Sequence, residues 1–146
     1  MIVRKITSTD CKNLRHMVLW PHIQYEKDCI IDIDGQEDAI HLGAVLDGQI
    51  ISICSLFKTT NAQLDLPGVH YRLRAMATHP DFRGKNVGRA VVLEAINILK
   101  TNNTTVLWCD AREVALEFYS KLGFNNKGDF YNVKNIGPHK LMYCEL

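Results

Sequence analysis

Arg83, Lys85 and Arg89 fall within seven residues that also contain Gly84 and Gly88. No other part of the chain gathers so many groups suited to holding an anion. Upstream, residues 69–78 read as a strand, and His79-Pro80-Asp81-Phe82 reads as a turn. Downstream, an apolar pattern at helical spacing begins. The first turn of a helix leaves backbone N–H groups without partners, and the helix dipole favours negative charge there. Glycines let a ligand approach the backbone, and three cations add to the field. That combination suits a pyrophosphate. A Walker loop needs Ser or Thr after Gly-Lys, but Asn86 follows Lys85. The Gly-x-Gly-x-x-Gly fingerprint of a dinucleotide fold is absent.

The elements that must position this loop can be read from periodicity and turn signals. Residues 1–6 form a strand pattern. Residues 10–20 form a helix pattern with Thr9 or Asp10 as cap and Pro21 as its stop. Residues 22–39 are polar and irregular. Residues 41–46 and 49–57 are apolar runs joined by Asp47-Gly48, a hairpin signal. The helix after the basic loop covers residues 86–100, with Val87, Ala90, Val91, Leu93, Ile96 and Leu99 on its apolar face. Residues 105–109 read as a strand buried on both faces. Asp110 then opens a helix, with Glu113 completing a capping box and Gly123 as a left-handed stop. Residues 124–131 and 141–145 close the chain as a strand pair with a long connection. The order β-α-β-β-β-α-β-α-β-β predicts a mixed α/β (α+β) layer in a single domain of residues 1–146.

Composition narrows the field. At 146 residues, 47% apolar and 23% charged, the chain matches an ordinary globular domain. Its formal charge of +1 lacks the basic excess of a general nucleic-acid binder. No apolar run approaches the roughly 20 residues that span a bilayer, and the N-terminal run lacks the form of a signal peptide. The reading is cytoplasmic, with neither a nucleic-acid nor a membrane partner. The cysteines (11, 29, 54, 109 and 144) are scattered and form no Cys-x-x-Cys pair. They read as buried thiols, and no metal site is indicated.

A second stretch reads Asp110-Ala111-Arg112-Glu113-Val114-Ala115-Leu116-Glu117-Phe118-Tyr119-Ser120-Lys121-Leu122-Gly123-Phe124. Val114, Ala115, Phe118 and Leu122 fit core packing at helical spacing. Tyr119 adds a polar handle.

Together the two stretches resemble the signatures of the GNAT N-acetyltransferase superfamily. Arg83-x-x-Asn86-x-Gly88 aligns with Arg/Gln-x-x-Gly-x-Gly/Ala. The second stretch aligns with Asn-Ala-Arg-x-x-Ala-x-x-Phe-Tyr-x-x-Leu-Gly-Phe. The resemblance implies a largely antiparallel sheet of six to seven strands with helices on both faces, splayed between residues 69–78 and 104–109. It implies an enzyme that binds acetyl-CoA, without a metal, and passes the acetyl group to a primary amine by direct attack in a ternary complex.

The resemblance also assigns residues. Arg83, Gly84, Lys85, Asn86, Val87, Gly88 and Arg89 hold the pyrophosphate. The main chain of Met76, Ala77 and Thr78 lies along the pantetheine arm and meets the developing oxyanion. Asp110 takes the place of the second motif's Asn, although N-capping explains an Asp there equally well. Asn86 replaces the first motif glycine. Asn tolerates left-handed backbone geometry and keeps its N–H, so binding is expected to be weakened rather than abolished.

Tyr119 becomes the general acid. A phenol, ordinarily near pKa ~10, can donate to a thiolate whose conjugate acid lies near ~8.5. The competing reading is a buried Tyr satisfied by a carbonyl. His22 and His139 stand where the family builds its acceptor pocket, against the alternatives of ordinary loop histidines or a base relayed through water. His79 reads as a surface residue. A homodimer is compatible with the family. A non-catalytic acyl-CoA sensor of the same fold is the alternative function, and a nucleic-acid-associated module is a third.

Overall fold

The computed structural model describes residues 1–146. The chain contains β1 (Ile2–Lys5), α1 (Ser8–Leu14), β2 (Ile40–Leu46), β3 (Gln49–Lys58), β4 (His70–Thr78), α2 (Val87–Thr101), β5 (Val106–Arg112), α3 (Leu116–Lys121), β6 (Asn125–Val133) and β7 (Gly137–Glu145). The strands form one mixed sheet in the order β1-β2-β3-β4-β5-β7-β6. Element types and their order follow the expectation from sequence. The chain gathers into two compact units, Met1–Phe57 with Leu73–Ala95, and Lys58–Arg72 with Ile96–Leu146.

In the first unit, β1, β2 and β3 pair antiparallel. Asp47 and Gly48 both take positive φ, 49° and 79°. Two consecutive left-handed residues give the turn whose twist matches the flanking strands. Helix α1 starts earlier than expected, because Thr7 and not Thr9 or Asp10 is the cap. Its hydroxyl accepts from the Asp10 N–H at 3.1 Å, and the Asp10 carboxylate accepts from the Thr7 N–H at 3.1 Å. After Leu14 the helix widens into a π-helical segment, Arg15–Leu19. Cys11, Leu14, Ile53 and Ala77 form a core cluster of this unit, with Ile6, Val18, Leu19 and Ile50 packed on it.

Arg15 is fully buried and anchors a polar network. Its guanidinium donates to both Asp34 oxygens (2.7 and 2.8 Å), to the Ser55 hydroxyl (3.0 Å) and to the Cys29 carbonyl (3.3 Å). His41 bonds Ser55 and the Asp34 carbonyl from the other side. The irregular residues 20–39 are therefore tied down by side chains in place of a backbone ladder.

In the second unit, β4 pairs parallel to β5 over His70–Arg72 and Val106–Trp108, and β7 pairs antiparallel with both β5 and β6. Leu64, Val106, Trp108 and Leu141 form a core cluster. The expected long connection between the last two strands is instead a short turn, because β6 runs to Val133 and β7 begins at Gly137. Along α2, Leu93 is exposed and Val92 and Ala95 are buried, so the apolar stripe is rotated from the expected one. All five cysteines are buried and unpaired. Burial pushes Cys11 and Cys144 up to about 11, which makes them poor nucleophiles.

Candidate active site

The basic loop begins where β4 ends. The His79 backbone N–H donates to the Ile51 carbonyl at 2.8 Å. Its Nδ1 accepts from the Asp81 N–H at 3.1 Å, capping a 3-10 turn, Pro80–Phe82. His79 is therefore an organiser of the turn and not a plain surface residue. Its ring meets Phe82 edge-on at 5.6 Å, and the Lys85 ammonium sits 5.6 Å from the centre of that same Phe82 ring. Gly84 (φ +75°) and Asn86 (φ +61°) are left-handed, whereas Lys85 between them is not. Such alternation turns successive N–H groups toward a common side and favours an anion. The Asn86 carbonyl accepts from the Ala90 N–H at 3.1 Å and starts α2. Arg83, Gly84, Lys85, Asn86 and Arg89 are exposed, Gly88 is half-buried, and Val87 is buried as the anchor. The loop thus leaves its backbone and three cations open to solvent.

Asn86 occupies a conformation that costs most L-residues about 1–2 kcal/mol. Asn86→Gly should bind coenzyme A as tightly as the parent or a few-fold more tightly. Asn86→Val should lose about tenfold, since ~1.4 kcal/mol is one decade and Val resists positive φ more than Asn. Titration calorimetry of the three proteins measures this.

Within β4, Ala75 has φ +51°. A non-glycine residue in that region is uncommon, and in a strand it turns its peptide groups away from the regular ladder. Alanine carries no sequence signal for such a bend, so composition could not reveal it. Beyond it, Ala77 is buried, and Met76 and Thr78 are half-buried. Ser52 on β3 fixes this end, donating to the Ala77 carbonyl at 3.1 Å and bonding the Thr78 hydroxyl at 2.9 Å.

In the second unit, Asp110 does not open a helix. It lies in β5, which continues to Arg112 because β7 pairs with it through Leu141, Lys140 and His139. Cross-strand pairing outweighs the local capping preference. A 3-10 turn, Glu113–Ala115, follows, and α3 starts at Leu116 without a side-chain cap. Val114, expected in the core, is 92% exposed. Ala115, Phe118 and Leu122 are half-buried. The residue that α3 buries is Tyr119, at 5% exposure, with its ring edge-on to Phe118 (5.0 Å) and tilted on Phe124 (5.3 Å). Gly123 is left-handed, as expected.

A cluster on the same unit escaped sequence reasoning. Arg72 donates to one Asp110 oxygen at 2.7 Å, and the Tyr131 hydroxyl donates to the other. The Arg72 guanidinium lies 5.0 Å from the Trp108 ring centre, and the Trp108 N–H donates to the Thr59 carbonyl at 2.8 Å. Burial, together with the hydrogen bond to anionic Asp110, raises the Tyr131 phenol well above its ordinary range. Tyr131 stacks on His139, its register partner in β7. Residues 72, 110 and 131 share no motif, and only the sheet register unites them. Of the two histidines singled out, His139 is buried in this cluster. His22 is exposed in the turn after Trp20, in the first unit. No group of three or more His, Cys, Asp or Glu residues is arranged to hold a metal. No helix is long and apolar enough to cross a membrane.

The model of the acetyltransferase (GNAT) family matches residues 6–124. The chain belongs to that family. The N-acetyltransferase YitI of Bacillus subtilis strain 168 is 34% identical over 144 residues, covering 99% of this chain and 95% of YitI. Two solved structures share the fold. An aminoglycoside 6′-N-acetyltransferase complexed with coenzyme A superposes with a TM-score of 0.74 at 14% identity, covering 99% of this chain and 97% of that one. A ribosomal-protein-alanine N-acetyltransferase from Brucella melitensis gives 0.73 at 16%, covering both chains fully (100%). Those two GNAT proteins are named for acceptors as different as an aminoglycoside and a ribosomal protein, so the shared fold does not fix the acceptor. GNAT acetyltransferases draw the acetyl group from acetyl-CoA.

Proposed function

We propose that the chain is a single acetyltransferase domain moving the acetyl group of acetyl-CoA onto a primary amine of a small molecule or peptide. The observation that carries this is the loop before α2, where left-handed Gly84 and Asn86 present backbone amides beside Arg83, Lys85 and Arg89. In this reading residues 83–89 hold the pyrophosphate, and the main chain of Met76, Ala77 and Thr78, just past the bend at Ala75, lies along the thioester arm. Acetyl-CoA brings the activated thioester. The amine attacks it directly, without an acyl-enzyme, and Tyr119 protonates the departing thiolate. Asp110 serves through its bonds to Arg72 and Tyr131 and not as a helix cap. Partners are acetyl-CoA and the amine, and a homodimer remains compatible with the family. Five unpaired cysteines suit a reducing compartment, which supports a cytoplasmic site.

Calorimetry with coenzyme A tests the loop. The protein is expected to bind saturably, and the double charge reversal Arg83→Glu/Lys85→Glu to weaken binding by at least about 100-fold, since charge-assisted hydrogen bonds contribute about 1.5–3 kcal/mol each and ~1.4 kcal/mol is one decade. Pantetheine, which lacks the phosphates, should bind both proteins alike. No saturation with coenzyme A, or an unchanged affinity after charge reversal, removes the basis of the reading. Thiol release from acetyl-CoA with polyamines, aminoglycosides, amino acids and peptides separates an enzyme from a sensor. Tight binding without turnover on any of them points to the sensor.

A further inference from the structure

We infer that His79 is a positioning residue of the diphosphate loop, and that adding a proton to its ring loosens the loop's hold on coenzyme A; this rests on the acetyltransferase reading above. The turn before the loop opens on His79-Pro80. Proline has no N–H, so the first donor this turn must satisfy is that of Asp81. His79 supplies the acceptor, with Nδ1 3.1 Å from the Asp81 nitrogen. A backbone N–H only donates, so Nδ1 is bare and the neutral ring carries its hydrogen on Nε2. The usual capping residues are Asn, Asp, Ser and Thr. None of them ordinarily changes charge between about pH 5 and 8, whereas imidazole does.

Little else fastens the turn. The Phe82 N–H donates to the His79 carbonyl at 2.9 Å, and the Arg83 N–H to the Pro80 carbonyl at 3.5 Å, the second a weak bond. The His79 main chain is itself pinned to Ile51 of β3 at 2.8 Å. Losing the cap therefore frees the residues after His79 and leaves β4 in place. Those residues lead straight into the loop. Phe82 meets the His79 ring edge-on, and the Lys85 ammonium lies 5.6 Å from the centre of the Phe82 ring. Arg83 and the left-handed Gly84 and Asn86 come directly after the turn.

Protonation at Nδ1 sets one N–H against another and removes the cap. Of the charged groups on the turn, the loop and the first turn of α2 (Asp81, Arg83, Lys85 and Arg89), Asp81 is within ion-pair reach, its carboxylate 3.9 Å from Nδ1. On the strand side, β3 carries no charged residue from Gln49 to Phe57, and β4 none from Ala75 to Thr78. The imidazolium therefore turns to Asp81, which offsets the charge that would otherwise draw the diphosphate. What remains is an uncapped turn. It spends more time in arrangements unfit for the ligand, and apparent affinity falls with the competent fraction. Affinity is thus full while the ring is neutral and declines as pH falls through its titration.

Calorimetry with 3′-dephospho-coenzyme A, whose diphosphate stays fully ionised over this range, follows affinity against pH for the parent protein, His79→Asn and His79→Ala. Parent affinity should fall about fivefold from about pH 8 to about pH 5, the effect of removing a cap. His79→Asn keeps an acceptor that does not titrate, so it should bind within about twofold of the parent at about pH 8 and stay level toward acid. His79→Ala should start about fivefold weaker and also stay level. Both variants lose the ring, so only the acceptor separates them. Imidazole 15N NMR of the neutral parent protein should show His79 bare at Nδ1 and protonated at Nε2, which needs no variant to fold. The opposite tautomer, a parent affinity that stays level or rises toward acid, or a slope that survives in His79→Asn overturns the proton effect and leaves the acetyltransferase reading standing. No saturable binding of coenzyme A at any pH overturns both.

Discussion

Arg15→Met is expected to lower the free energy of unfolding by about 3–5 kcal/mol, the cost of removing one partner from a buried ion pair. Arg15 has no exposed surface and meets Asp34 through two parallel bonds of 2.7 and 2.8 Å. Without the guanidinium, the Asp34 carboxylate keeps the Ile31 N–H at 2.9 Å, in a site where it is only 11% exposed. Ser55 and the Cys29 carbonyl lose a donor as well. Against a typical total of about 5–15 kcal/mol, such a loss is large and lowers Tm by roughly 10–15 °C. Replacing both partners, as in Arg15→Met/Asp34→Leu, should cost less than either single change, because no orphaned charge remains.

The same pair sets an acid limb. Burial alone would raise the Asp34 carboxyl, but the Arg15 hydrogen bond, the Ile31 N–H and the nearby charges outweigh it and hold it below its ordinary value. A carboxyl depressed in the folded state contributes stability that is fully present above the unfolded value. That contribution is lost as pH falls through the folded one. Urea unfolding between neutral pH and about pH 3 should show this decline in the parent and a shallower one in Asp34→Asn. An Arg15→Met protein within about 1 kcal/mol of the parent would mean that the network contributes little to the fold.

What the sequence reveals and what it conceals differ by the range of the interaction. The Asp47-Gly48 turn and the left-handed stop at Gly123 are local matters of backbone sterics, and both were legible. So was the tolerance of Asn86 for positive φ. Asp110 misleads because its strongest local preference, N-capping, loses to a strand partner some thirty residues away in the chain. Val114 misleads for a related reason. The 3-10 turn before α3 breaks the 3.6-residue period, so extrapolating the apolar stripe through it puts Val114 on the wrong side. Thr7 is masked as a cap because Asp10, its capping-box partner, also has a cap's side chain. Arg72 and Tyr131 had no local signal. Their bonds to Asp110 exist only once β4, β5, β6 and β7 are in register.

For Tyr119→Phe the expected result is a fall in kcat of about 10²–10⁴-fold with coenzyme A affinity unchanged, the usual contribution of a positioned general acid. The substitution is a clean one here. The ring of Tyr119 is wedged against Phe118 and Phe124, and Phe preserves those contacts. The loss is confined to one hydroxyl, worth about 1 kcal/mol of stability at most sites, so a large rate effect cannot be charged to unfolding. An alkyl thiolate is the leaving group, and its departure is where a phenol helps. The initial attack by the amine gains little from it. The penalty should therefore fall on kcat, with KM for acetyl-CoA holding within a few-fold, and calorimetry with coenzyme A should give superposable isotherms for the two proteins. Should Tyr119→Phe retain kcat within about threefold, the phenol is a packing residue of α3, and the thiolate takes its proton from water. A variant that loses coenzyme A affinity along with its rate would point the same way, because an acid acting only on the leaving group leaves ground-state binding alone.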